Sequence, residues 1–171
     1  IIFILSLVFV YFLLSAQYES YILPFSILLS LPVGIAGAIG FVSLFGLENN
    51  IYFQIALIML IGLLSKNAIL IVEFALQRRK HGMSIMESAI DGAKARLRPI
   101  LMTSFAFILG LLPLALSSGI GAVGNRSIGM SAVGGMLIGT IFGVFVIPAL
   151  YVIFQSIQER FTGAPKEAIE K

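Results

Sequence analysis

The sequence predicts an all-α integral membrane protein with five transmembrane helices and one short helix on the membrane surface. Of its 171 residues, 59% are hydrophobic and 11% are charged, whereas soluble domains carry about 25% charged residues. The mean hydropathy is +1.07. The chain contains five apolar runs, which approach or exceed the ~20 residues that a helix needs to cross a bilayer. The predicted spans are residues 1–16, 24–45, 51–76, 99–117 and 128–156.

The first span ends in residues typical of a membrane interface, and the second begins at a proline. Residues 1–16 are slightly short of a full span and lead into Gln17-Tyr18-Glu19-Ser20-Tyr21, where two tyrosines and a carboxylate suit a membrane interface. The chain begins inside this apolar run, without the basic region of a signal peptide, so we expect it to be part of a longer protein. Pro24 opens the second span, where its missing N–H is harmless, and Pro32 is expected to kink the helix.

The third span, residues 51–76, carries Lys66 near its middle with Asn67 beside it. An ammonium at the centre of a membrane helix costs roughly 2.5–3.5 kcal/mol on insertion scales. The alternative is a lysine near a helix end that extends to the headgroups, but Lys66 is too deep for that, and a functional lysine is favoured. Glu73 shares its helix face two turns away and is interpreted as an interface residue. The carboxylate partner of Lys66 is therefore expected on helices outside this chain.

The longest polar stretch, between the third and fourth spans, predicts a short surface helix over residues 85–95. Ser84 and Glu87 form a capping-box pattern at its start. Its apolar residues fall on one side and its charged residues on the other, as in a helix lying along a membrane. Pro99 then opens the fourth span.

The last part of the chain combines a glycine-rich loop, a glycine-spaced span and a polar tail. Residues 118–127 are predicted to form the loop that carries Arg126. The fifth span has small residues at four-residue spacing, which let a neighbouring backbone approach closely; they are Gly135, Gly139 and Gly143. Residues 158–171 are predicted to form the tail.

The distribution of positive charge predicts the orientation of the chain. Apart from Lys66, the basic residues are Arg78, Arg79, Lys80, Lys94, Arg96, Arg98, Arg126, Arg160, Lys166 and Lys171. With five spans, all of them except Arg126 fall on one side of the membrane. The positive-inside rule places that side, with the C-terminus, in the cytoplasm.

The chain lacks the residue patterns of an enzyme or a metal site. It has no cysteine and a single histidine, His81 in a polar loop, so disulfides and thiolate metal sites are excluded. No nucleophile–base arrangement or phosphate-binding loop is evident, and the basic residues lie beside membrane spans rather than in a nucleic-acid-binding pattern. The intramembrane lysine instead predicts proton handling. Such a lysine can pair with an ionised carboxylate and lose that pairing when the carboxylate is protonated, so protonation biases a transporter between two states.

Two long motifs resemble a known family. The run GLLSKNAILIVEFA at 62–75 resembles the tenth membrane helix of multidrug exporters of the resistance–nodulation–division superfamily, hydrophobe/amphiphile (acriflavine-resistance-type) branch. The run RLRPILMTSFAFILG at 96–110 resembles the start of their eleventh helix. Tyr18-Glu19-Ser20 and the Val133–Met136 segment also match, so the resemblance covers nearly the whole chain.

The resemblance implies that the chain is helices eight to twelve of a twelve-helix, two-repeat, homotrimeric transporter of the bacterial inner membrane. It implies proton/drug antiport driven by the proton-motive force, without a cofactor. The implied substrates are hydrophobic or amphiphilic drugs, and the partners are a periplasmic adaptor protein and an outer-membrane channel. The lysine matching Lys66 would pair with an acidic pair on helix four of the N-terminal half. Thr103 would belong to the same relay, Asn67 would neighbour it, and Arg96 would lie on the cytoplasmic proton path.

Alternatives remain for these residues and for the protein. From the residues alone, Thr103 is explained as a hydroxyl bonded to its own helix backbone and Arg96 as a positive-inside anchor. An accessory or protein-translocation module could share the five-span architecture, because related folds serve different functions. A metal-ion exporter of the same superfamily is disfavoured, because no methionine pairs line a span.

Overall fold

The computed structural model describes residues 1–18 and 20–163; Glu19 and the tail from residue 164 onward lie outside the described residues. Part of the predicted Tyr18-Glu19-Ser20 boundary and most of the 158–171 tail are therefore not covered. The described residues form helices and turns, which confirms the all-α prediction. The helices are α1 (Ile2–Tyr18), α2 (Leu23–Leu28), α3 (Leu31–Leu44), α4 (Ile51–Lys80), α5 (Ile85–Ala115) and α6 (Ala122–Thr162).

Within the described residues, four helical stretches are long and apolar enough to cross a membrane. They are Leu23–Leu44, which combines α2 and α3, then Ile51–Lys80, Ile85–Ala115 and Ala122–Phe161. The helix α1 is apolar but has 17 residues. Length and composition thus support four spans and a shorter fifth apolar helix.

The predicted kink in the second span is a break between two helices. The helix α2 ends at Leu28 and α3 begins at Leu31, with a turn at residues 29–30. Pro32 has no N–H to donate to the carbonyl of Leu28, so the α-helical ladder cannot continue through this point. The Ser30 hydroxyl donates to the Ile27 carbonyl at 2.6 Å within the turn.

The surface helix and the fourth span, predicted as separate elements, are one helix. The predicted capping box forms as expected: the Glu87 N–H donates to Ser84 Oγ at 3.2 Å, and the Ser84 N–H donates to Glu87 Oε2 at 3.3 Å. From there α5 runs from Ile85 to Ala115 with Pro99 inside it. The boundary expected at Pro99 is wrong, because a proline removes one i→i−4 hydrogen bond and a long helix can tolerate that loss.

The glycine-rich loop is also shorter than predicted. Helix α6 begins at Ala122, so Arg126 lies in its first turns rather than in a loop over 118–127. Gly119 and Gly121 have φ values of +105° and +83°. These left-handed conformations favour glycine and explain why the turn is completed within a few residues. At its other end α6 continues past the predicted limit of residue 156, and the tail therefore begins as helix.

The described residues divide into two compact units. The first unit contains residues 1–30 and 66–98 together with the described residues from 144 onward, and the second contains residues 31–65 and 99–143. In the first unit, Arg79 of α4 and Glu159 of α6 form two hydrogen bonds of 2.8 Å each. Gln155 adds a third contact by donating to Glu159 Oε1 at 2.9 Å.

Glycines bring helix backbones together in the second unit. A Cβ atom at Gly135 would lie 3.1 Å from the carbonyl oxygen of Gly34, and one at Gly139 would lie 2.6 Å from the side chain of Leu64. A Cβ atom at Gly129 would press on the backbone of Leu114 and Ala115. The helices α3, α4, α5 and α6 therefore approach closely where glycine supplies the space. Gly143, at the end of the same unit, is buried.

Candidate functional site

Lys66 lies on a face of α4 that the described residues leave largely uncovered. The residue itself is exposed, and its neighbours on the same face of the helix are exposed or half-buried; they include Ile55, Met59, Gly62, Ile69, Glu73 and Gln77. The opposite face is buried, with Leu60, Leu64, Ala68, Ile71 and Ala75 in the core. Neither ion pair found among the described residues involves Lys66. The ammonium is thus presented outward by a helix whose other side is packed.

Asn67, beside Lys66, points into the protein. Its side chain is 6% exposed, and among the described residues its amide nitrogen Nδ2 has no hydrogen-bond partner. A buried amide without a partner costs free energy. The adjacent lysine and asparagine therefore sit in opposite environments, although they are consecutive in sequence.

Arg96 is held at the ring of Phe74. Its guanidinium carbon lies 4.9 Å from the ring centroid, and that of Arg78 lies 5.0 Å from the same centroid. Such cation–π contacts are worth roughly 0.5–1 kcal/mol at exposed sites. Phe74 is eight residues from Lys66, or about 12 Å along the helix axis. The contacts described in the first unit therefore do not bring Arg96 and Lys66 together.

Thr103 belongs to the second unit and lies on the exposed side of α5. Its hydroxyl donates to the Ile100 carbonyl at 3.0 Å, as in the backbone-bonding alternative. The next residue, Ser104, is 1% exposed and accepts a hydrogen bond of 2.9 Å from the buried hydroxyl of Thr140 on α6. Ser104 thus faces α6, whereas Thr103, the residue before it, is exposed. The pairing of Ser104 with Thr140 could not be predicted from the sequence, because it depends on how two distant segments pack.

The first unit also contains a polar cleft that the sequence analysis did not predict. Its volume is about 380 Å³. The residues that line it are Gln17, Tyr18, Glu73, Leu76, Gln77 and Lys80. Glu73 is half-buried there, so it faces a cleft as well as the membrane boundary to which the sequence assigned it. Its position seven residues after Lys66 was the available signal, but the contribution of α1 could not be read from spacing.

Metal coordination finds no support in the described part of the chain. There, no group of three or more histidine, cysteine, aspartate or glutamate side chains is placed to hold a metal ion.

These features define a polytopic helical membrane protein with an ionisable residue inside a span. Residues 1–155 match the model of the AcrB/AcrD/AcrF family. The chain belongs to this family, which places it among the resistance–nodulation–division multidrug exporters of the acriflavine-resistance type. The family resemblance read from the two motifs is thereby confirmed.

Individual relatives agree with the family assignment. The chain is 45% identical over 161 residues to the multidrug resistance protein MdtF of Escherichia coli, covering 94% of this chain and 16% of the relative. It is 46% identical over 156 residues to the toluene efflux pump membrane transporter TtgB of Pseudomonas putida, covering 91% and 15%. It is 43% identical over 152 residues to the multidrug export protein AcrF of Escherichia coli, covering 88% and 15%. The chain thus spans about a sixth of the length of these relatives.

Proposed function

We propose that this chain forms part of the proton-translocating membrane domain of a multidrug efflux pump, a proton/drug antiporter of the bacterial inner membrane. Lys66 would pair with acidic residues on helices of the N-terminal half, outside this chain. The observation that carries the proposal is the exposure of Lys66 at the middle of an uncovered face of a membrane-type helix.

The energetics of an intramembrane charge support this pairing. An ammonium facing lipid at this depth costs roughly 2.5–3.5 kcal/mol or more, whereas a carboxylate on a facing helix would offset that cost. Protonation of the carboxylate would remove the attraction and shift the equilibrium between two conformations. Each proton moving down the membrane potential releases ~2.3 kcal/mol per 100 mV, which can drive the cycle without a cofactor.

The remaining relay residues take supporting roles in this proposal. Thr103 is exposed on α5 and can hydrogen-bond to a group outside this chain once its hydroxyl leaves the Ile100 carbonyl. Asn67 neighbours Lys66, and its amide donor has no partner among the residues that the structure describes. Arg96, stacked on Phe74, would lie toward the cytoplasmic end of the proton path.

The whole transporter is proposed to work as its relatives' names suggest. MdtF and AcrF are named for multidrug resistance or export and TtgB for toluene efflux, so hydrophobic or amphiphilic compounds are the proposed substrates. We propose a homotrimer joined to a periplasmic adaptor protein and an outer-membrane channel through segments outside this chain. The concentration of basic residues on one side supports a cytoplasmic C-terminus. The family match favours transport over enzymatic catalysis, an accessory or translocation module, or metal export.

The test is Lys66→Ala in the transporter that carries this sequence, with proton-coupled efflux and membrane protein level measured together. Efflux is expected to be lost while the protein level stays normal. The matched control is Lys94→Ala, which removes an exposed lysine outside the predicted spans and is expected to leave efflux unchanged. Proton-coupled efflux that persists in Lys66→Ala would overturn the relay role.

A further inference from the structure

The polar cleft of the first unit lies between the end of α1 and the second half of α4. Five of its six lining residues have polar or charged side chains, and Leu76 is the exception. Polar side chains at the edge of a bilayer require water or polar partners. At about 30 Å³ of liquid volume per molecule, a cleft of about 380 Å³ has room for on the order of ten waters.

One residue that lines the cleft also contacts α4 near Lys66. The Tyr18 hydroxyl donates to the carbonyl of Ile69 at 3.2 Å, and Tyr18 also lines the cleft. Ile69 is three residues from Lys66, a rise of about 4.5 Å along α4. Tyr18 therefore connects the cleft to a backbone carbonyl of the residue three positions after Lys66.

Glu73 lies between Lys66 and the outer end of the cleft. It is seven residues from Lys66 on the same helix face and seven residues from Lys80, about 10.5 Å in each direction. Lys80 is the last residue of α4, at the boundary where the basic residues are concentrated. Glu73 is also the only acidic residue in α4. A carboxylate is thus placed midway between the intramembrane lysine and the basic side of the membrane.

We propose that this cleft is a water-filled vestibule through which protons pass between the level of Lys66 and the basic side of the membrane, with Glu73 as the proton-carrying residue. The proposal rests on the proposed function of Lys66. A proton released beside Lys66 passes through water to the Glu73 carboxylate and converts it to the acid. Release of that proton to bulk water restores the carboxylate. Among the described residues, the titratable side chains that line the cleft with Glu73 are Tyr18 from α1 and Lys80 from α4. Lys66 lies two turns from Glu73 on the same face of α4.

Cysteine accessibility tests whether the cleft holds water. The chain contains no cysteine, so Gln77→Cys and Leu76→Cys each add a single thiol to the cleft, in a transporter with any other cysteines replaced. The control is Ile153→Cys, at an exposed apolar position of α6. A charged, membrane-impermeant methanethiosulfonate is expected to modify the two cleft thiols at least tenfold faster than the control, from the basic side of the membrane. Equal rates would mean that lipid or another segment fills the cleft, and would overturn the proposal.

Neutralisation of Glu73 tests its role as the proton carrier. Glu73→Gln is expected to lower proton-coupled efflux by about 10²-fold or more and to flatten its pH dependence, because a positioned acid–base group is worth about 10²–10⁴-fold in proton transfer. Glu73→Asp keeps the carboxylate and is expected to retain the pH dependence. Glu48→Gln, in an exposed loop, is the control for removal of one negative charge.

The two proposals fail in different ways. If Lys66→Ala abolishes efflux but Glu73→Gln leaves both its rate and its pH dependence unchanged, the vestibule proposal is overturned and the role of Lys66 stands. If both variants retain proton-coupled efflux, both proposals are overturned.

Discussion

Arg79 and Glu159 join α4 to α6 through a bidentate ion pair. Nε and Nη2 of Arg79 donate to the two carboxylate oxygens of Glu159 at 2.8 Å each, and Nη1 donates to the Met83 carbonyl at 2.7 Å. The two side chains are only 16% and 14% exposed. Charge-assisted bidentate bonds of this kind are among the stronger polar interactions in proteins.

Removing this arginine is expected to destabilise the protein. Arg79→Ala leaves a largely buried carboxylate without its partner, which costs on the order of 2–4 kcal/mol, and the melting temperature in detergent should fall by several degrees. The control is the adjacent Arg78→Ala. Arg78 pairs with Asp91 at 2.8 Å, but these side chains are 45% and 39% exposed, and such pairs contribute at most about 1 kcal/mol. Equal losses in the two variants would contradict the importance of burial at Arg79.

The close approach of α6 to α3 and α4 at Gly139 leads to a second prediction. Gly139→Ala would place a Cβ atom 2.6 Å from the Leu64 side chain and 3.2 Å from the Gly34 Cα atom. Because backbone atoms cannot easily yield, we expect a loss of about 1–3 kcal/mol in stability. Gly110→Ala is the comparison: a Cβ atom there meets nothing within 4 Å. That change is expected to be neutral or to stabilise by up to about 1 kcal/mol. Thermal unfolding of both variants distinguishes packing from helix propensity.

The buried bond between Ser104 and Thr140 can be measured by a double-mutant cycle. Ser104→Ala and Thr140→Val each remove one side of the 2.9 Å hydrogen bond. Interhelical hydrogen bonds in membrane proteins contribute about 0.6 kcal/mol on average, with a maximum near 1.7 kcal/mol. The double variant is therefore expected to lose less stability than the two single losses combined. Strict additivity would show that the bond does not couple α5 to α6.

Asn50 caps α4 and connects it to α6. Its Oδ1 accepts the Phe53 N–H at 2.9 Å, and its Nδ2 donates to Ser127 Oγ at 2.9 Å. Asn50→Ala is expected to cost about 1 kcal/mol from the lost cap, and somewhat more because the buried Ser127 hydroxyl loses its partner. Asn50→Asp keeps an acceptor for Phe53 and can accept from the Ser127 hydroxyl, so it should retain most of the stability. A melting temperature that falls equally in both variants would argue against capping.

Local patterns predicted the helices but not all of their ends. The capping box at Ser84 and the apolar runs were readable because they depend on neighbouring residues. Pro99 was misread because a proline weakens a helix without always ending it, and its surroundings decide the outcome. The cap at Asn50 was missed because the short turn before α4 gave no glutamate or glutamine at the third helical position to complete a capping box.

The candidate site was predictable only in part. Lys66 could be identified because a charge within an apolar run is costly wherever the helix packs. The stacking of Arg96 on Phe74 and the cleft at Glu73 could not, since each joins residues from different helices. The sequence shows which ionisable side chains lie within apolar runs. The contacts that surround each side chain depend on how the helices pack, and these could not be predicted.

The contact at Gly129 has an evolutionary consequence. Any side chain at this position would meet the backbone of Leu114 and Ala115 at the end of α5, so a substitution requires α5 to shift or to end earlier. Positions 129 and 114–115 should therefore vary together across related sequences rather than independently. A relative with a bulky residue at the position of Gly129 is expected to carry a compensating change where its eleventh helix ends. Such covariation would indicate the contact between the two helices from sequences alone.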